Sequence, residues 1–198
     1  MLSLNEYVVK EHVGMFKLSD AYDIIDPATG VKVGLAQERV PGLVQVLRFL
    51  VNKQLLPTKV VFIDKPDDQG QGKVVLSIKR GFSFLFPKIH ILANDETPIG
   101  YFKKKLFSLG GAFYIHDLEG ARIGMVKGDW KGWNFRILDE SDKEIGAVTK
   151  KWAGLGKELF TTADTYVISI AKEAQASPGK KSLLLAAGIA IDTIFKEN

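Results

Sequence analysis

The chain has 198 residues, 46% of them hydrophobic and 25% charged, with a formal net charge of +4. Those values fit one ordinary globular domain spanning 1–198, large enough to bury a real core. It contains no cysteine, which excludes disulfides, thiolate zinc sites, a thiol nucleophile and cysteine lipidation.

The amino-terminal stretch MLSLNEYVVKEH has no basic segment followed by an apolar run, so no signal peptide is expected. Glu6–His12 reads as a strand. Phe16–Ile25 alternates loosely and ends in the turn Asp26-Pro27-Ala28-Thr29-Gly30, and Val31–Val40 returns as its hairpin partner. Leu43, Val46, Leu47, Leu50 and Val51 then fall at helical spacing, which predicts an amphipathic helix over residues 43–54. Such a helix either lies on one end or side of a sheet or serves as a membrane-surface or partner helix.

Strands resume with Lys59–Asp64 and Val74–Arg80, separated by the polar loop Lys65–Lys73. The phenylalanine-rich stretch Gly81–Pro87 reads as core or end-cap packing. Four segments then resemble one another: Ala21–Gly34, Lys88–Gly100, Ala112–Gly124 and Asn134–Gly146. Each is an alternating strand, a polar turn, and an apolar residue with glycine opening the return strand. A repeat of this kind is a hairpin plus its connection, and successive hairpins make an antiparallel meander. Closing the meander removes its exposed edges.

The last element is the most apolar run, Ser182–Phe195 (SLLLAAGIAIDTIF). A membrane span needs about 20 apolar residues, and this run is too short. Its small residues Ala186, Ala187, Gly188 and Ala190 allow strands to approach its axis closely, and Ser182 is placed to cap its first turn. The predicted fold is therefore mainly β: a closed antiparallel barrel of about twelve strands around a buried C-terminal hydrophobic helix, plus the amphipathic helix near 43–54.

The stretch Ile145-Gly146, Lys150-Lys151-Trp152-Ala153-Gly154-Leu155, Glu158, Phe160-Thr161 and Ala163-Asp164 resembles phospholipid scramblases. So does the closing LLLAAGIAIDTIF with its Ile191-Asp192 pair, and the hairpin repeats are similar to those of the plant LURP-one-related proteins. The resemblance implies a Tubby-like fold, a twelve-stranded barrel around a central C-terminal helix. It also points to a calcium-binding segment at 161–175. There Asp164 and Glu173 match acidic positions, while Thr162 and Gln175 replace aspartates and Val167 and Ala171 replace a glycine and a proline. Two carboxylates are a poor offer to an ion that takes six to eight oxygens, so no metal or other cofactor is expected. Palmitate-dependent attachment is not expected either, because the cysteine cluster of animal scramblases is missing.

His12, His90 and His116 lack metal spacing, and no nucleophile elbow, phosphate loop or dinucleotide fingerprint occurs, so the chain does not read as an enzyme. The basic clusters carry the binding hypothesis. Lys103, Lys104 and Lys105 follow the glycine of one repeat, and Lys127, Lys131, Lys150 and Lys151 follow those of later ones. Adjacent hairpins would gather these lysines near one end of the barrel. Tubby-like domains bind phosphoinositide head groups through a basic surface, so the resemblance implies an anionic phospholipid partner. Trp130 and Trp133 are expected at the interface. The same lysines also serve solubility and edge protection. The alternative function is a soluble protein-interaction or structural module with no lipid role. No nucleic-acid motif is present, and the expected location is cytoplasmic, peripheral at a membrane and not transmembrane.

Overall fold

The computed structural model describes residues 1–12, 20–47, 50, 56–81, 88–105, 111–129, 133–150, 165–172 and 178–192. Twelve strands occupy most of them: β1 (Glu6–Glu11), β2 (Ala21–Ile25), β3 (Lys32–Arg39), β4 (Thr58–Asp64), β5 (Lys73–Arg80), β6 (Ile89–Ala93), β7 (Pro98–Lys104), β8 (Ala112–His116), β9 (Arg122–Asp129), β10 (Asn134–Leu138), β11 (Glu144–Thr149) and β12 (Thr165–Ile170). Each pairs antiparallel with its sequence neighbours, and β12 returns to β1, with Val8 opposite Val167, to close the barrel. The helices are α1 (Gly42–Leu47), between β3 and β4, and α2 (Pro178–Ala190).

The repeat has a structural meaning. In four hairpins the repeat's isoleucine pairs with its glycine: Ile24 with Gly34, Ile91 with Gly100, Ile115 with Gly124 and Ile137 with Gly146. A register shift follows directly after each of these isoleucines. Such bulges bend the strand and sharpen its twist, which is what curls a meander into a barrel. Glycine is required because the next strand comes too close for a side chain. A Cβ on Gly100 would lie 2.5 Å from the His116 carbonyl oxygen, one on Gly124 2.8 Å from that of Leu138, and one on Gly146 2.6 Å from that of Ser169.

Alternation then sorts the wall. Tyr7, Val9, Tyr22, Ile24, Phe62, Ile78, Phe102, Phe113, Phe135 and Ile168 point into one core that also contains α2. Lys10, Lys79, Lys103, Lys127 and Arg136 are exposed on the outside. Charge outside and apolar residues inside is the inverse of a lipid-spanning barrel, whose outer band is apolar. Among the described residues no helix is long and apolar enough to cross a membrane.

The helix α2 is the barrel's axis. Leu183, Leu184, Leu185, Ala186, Ala187, Ile189, Ala190 and Ile191 are all buried, and the helix packs against β12, β5, β7 and β11. It starts earlier than the apolar run suggests. Pro178 sits in its first turn, where the missing N–H costs nothing, so Ser182 is a buried position within the helix rather than its cap. Val44 of α1 is buried, whereas Leu50, assigned to the apolar stripe, is 79% exposed. The rest of the predicted 43–54 helix, positions 48–49 and 51–54, and the stretch 82–87 lie outside the described residues.

Candidate functional site

The up-and-down topology gives the barrel two unlike ends. Five short hairpin turns, β2–β3, β4–β5, β6–β7, β8–β9 and β10–β11, sit at one end, the hairpin end. The remaining connections, including the one that carries α1, sit at the other, the connection end.

Turn chemistry makes the hairpin end acidic. Every one of its five turns contains an aspartate whose carboxylate accepts a backbone N–H within the turn. Asp26 takes that of Ala28, Asp67 those of Gln69 and Gln71, Asp95 that of Thr97, Asp117 that of Ala121, and Asp139 those of Ser141 and Lys143. The short side chain of aspartate mimics a backbone turn, which is why it recurs there. A groove of about 750 Å³ at this end is bordered by Glu6, Asp26 and Glu144, with Lys172 the cation at its edge.

The connection end is basic. Lys103 and Lys104 close β7, Lys105 follows them, Lys127 lies near the end of β9, and Lys150 follows β11. Lys103, Lys104 and Lys127 are exposed, and their side chains make no hydrogen bond or ion pair with the described residues. Lys105 Nζ lies 5.6 Å from the centre of the Tyr114 ring, and Lys150 Nζ 4.9 Å from that of Trp133. The described carboxylates at this end are Glu11, Asp20, Glu38, Asp129 and Asp192, and Glu38 and Asp192 are buried.

Register sets how these cations sit. The backbone N–H of Lys105 bonds the carbonyl of Ala112. Ala112 is opposite Lys127, Lys127 is opposite Arg136, and Arg136 is opposite Ala147. One row around the outer wall therefore reads lysine, alanine, lysine, arginine, alanine. Arg136 belongs to none of the basic clusters that the sequence shows. The alternation of Asn134–Leu138, with Phe135 and Ile137 inside, is the signal that turns it outward, and the register of β9 and β10 sets it beside Lys127.

Other candidates fall elsewhere. Trp133 is not an interfacial ring. It is 8% exposed and packs in the core against Phe135 and Tyr166, with ring centres 5.8 and 5.1 Å away. The ring expected at the interface has turned inward, on a backbone with φ +47. Trp130, Lys131, Lys151, Asp164 and Glu173 lie outside the described residues. The described part of the calcium-like stretch, 165–172, contains no carboxylate, and Tyr166, Val167, Ile168 and Ile170 in it are buried. Among the described residues no group of three histidines or carboxylates is placed to hold a metal.

The histidines lie on the outer wall. His116 stacks on Tyr101 with ring centres 4.8 Å apart, and Lys88 Nζ is 4.5 Å from the centre of the Tyr101 ring. Inside the barrel, near the connection end, burial and then the nearby Asp192 push the Tyr22 and Tyr166 hydroxyls far above the ordinary phenol range. Phenols held protonated in this way are poor general bases at neutral pH. The buried Glu38 accepts from the Thr58 hydroxyl and the Asp20 backbone N–H, and Arg80 donates to the Leu56 carbonyl at 3.2 Å. These contacts tie the connection end together.

The family model described as Scramblase matches residues 16–198. A phospholipid scramblase family protein of Schizosaccharomyces pombe is 27% identical over 100% of this chain and 55% of its own length. Altered inheritance rate of mitochondria protein 25 of Saccharomyces cerevisiae is 23% identical over 77% of this chain and 52% of its own. The chain spans about half the length of the curated relatives it matches. No solved structure matches it.

Proposed function

The chain belongs to the scramblase family, and from that premise we propose that it is a non-enzymatic module that binds anionic phospholipid head groups at a membrane surface, through the basic connection end of its barrel. The observation that carries this reading is the opposition of the two ends. The turns of the hairpin end each hold an aspartate, while the exposed cations Lys103, Lys104 and Lys127 cluster with Lys105 and Lys150 at the other. A charged surface of this kind is attracted to an anionic leaflet with one end leading. Each cation near such a surface contributes roughly 1 kcal/mol, so these five supply roughly 5 kcal/mol. That corresponds to submillimolar, reversible association rather than permanent anchoring.

Co-sedimentation with vesicles tests the reading. The chain is expected to pellet with vesicles containing phosphatidylserine and not with pure phosphatidylcholine, and raising the salt should release it as the charges are screened. Equal and negligible pelleting with both, indifferent to salt, removes the lipid role. It would leave the protein-interaction module.

A further inference from the structure

We infer that Lys127 and Arg136, with Lys105 beside them, form a site for a single phosphomonoester carried on a lipid head group. The inference rests on the membrane role proposed above and gives that role a chemical preference.

Lys127 on β9 and Arg136 on β10 are direct cross-strand partners, and both are exposed on the outer wall. Directly opposed residues on one face hold their Cβ atoms about 5 Å apart, and like charges placed so are unfavourable. Among the described residues no hydrogen bond or ion pair relieves the repulsion. The partners on either side are Ala112 and Ala147, too short to reach either cation. Along the strands, Lys127 is followed on the same face by Asp129, which is opposite Asn134 and is engaged in an interaction of its own. Lys105 extends the positive row past Ala112. The outer wall thus holds two cations side by side, flanked on each side by alanine.

An anion between the two cations removes their repulsion and gains both attractions. Arginine presents a planar fork that matches phosphate with two parallel hydrogen bonds, and lysine adds a point charge on a flexible stem. The charge of the anion then decides the preference. A phosphodiester head group offers this pair one negative charge. A phosphomonoester carries roughly −1.5 to −2 near neutral pH and neutralises both cations. The pair therefore favours the monoester when total surface charge is equal.

The test uses the full chain and two sets of phosphatidylcholine vesicles, one doped with phosphatidic acid and one with phosphatidylserine, matched in zeta potential. The chain should bind the phosphatidic acid vesicles about tenfold more tightly, the scale of a charge-assisted bidentate contact. Lys127→Gln and Arg136→Gln should each erase that advantage and weaken binding to phosphatidylserine by no more than the roughly fivefold that losing one surface cation costs, with a melting temperature no lower than that of the parent. Glycerol 3-phosphate in solution should compete only weakly, because it lacks the neighbouring leaflet. Equal binding to the two vesicle sets overturns the monoester site but leaves the general membrane role standing. Binding to neither removes both. Soluble glycerol phosphate binding as tightly as the doped vesicles overturns the assignment to a lipid.

Discussion

Gly188 of the axial helix lies directly against Ile168 of β12, so that a Cβ at position 188 would sit 2.5 Å from Ile168 Cδ1. The helix fits the barrel because it is narrow at that point. Gly188→Ala should therefore destabilise the fold despite alanine's better helix propensity. Overpacking costs about 1–3 kcal/mol and the propensity gain returns up to about 1 kcal/mol, leaving a net loss of up to about 2 kcal/mol. Ile168→Val removes the crowding Cδ1 and should couple favourably with it, by about 1 kcal/mol in a double-mutant cycle read by urea denaturation. Simple additivity would mean that the two residues do not meet.

Removing residues 178–198 should leave no folded barrel. Burying Leu183, Leu184, Leu185, Ile189 and Ile191 contributes on the order of 10 kcal/mol at about 1.5–3 kcal/mol each. That equals the whole net stability of a typical domain, about 5–15 kcal/mol. The truncated chain is expected to be insoluble or unfolded by circular dichroism. A soluble, cooperatively melting product would show that the helix is an appendage.

Acid should weaken the barrel through Asp23. Burial alone would raise the pKa of this carboxyl, but hydrogen bonds and charge from Lys32 and His12 outweigh burial and hold it below the ordinary value. Lys32 Nζ is 2.6 Å and His12 Nε2 2.9 Å from its oxygens. A carboxyl with a depressed pKa in the folded state contributes stability that is complete above the unfolded pKa of about 3.9. The contribution fades as pH falls through the folded value. Asp23→Asn should thus cost stability near pH 7 and little near pH 2. A difference in melting temperature that widens on acidification would contradict the pairing.

Much of this was legible in the sequence, because closure of a barrel needs local signals that repeat. The isoleucine–glycine pairs and the turn aspartates recur in the chain because each hairpin must bend and reverse in the same way. The apolar run around Gly188 announced an axis for the same reason: small residues are needed where strands approach. What escaped was set by neighbours distant in sequence. Nothing local tells that Trp133 turns inward onto Tyr166, or that Arg136 faces Lys127, since both depend on which strand lies alongside and in what register. The start of α2 was misjudged because Pro178 reads as a breaker unless it falls in a first turn. Similarly, helical spacing alone does not tell that Val44 of α1 finds cover while Leu50, beyond its end, stays exposed.

The central claim is that the connection end, not the hairpin end, meets an anionic membrane. The absence of cysteine allows a direct measurement. Two single-cysteine variants, Asn134→Cys at the connection end and Glu119→Cys at the hairpin end, both at exposed positions, would carry an environment-sensitive fluorophore. On adding vesicles that contain anionic lipid, emission from position 134 should shift to the blue and emission from position 119 should stay unchanged, with no shift at either position on neutral vesicles. A shift at 119 alone, or equal shifts at both ends, would contradict the account.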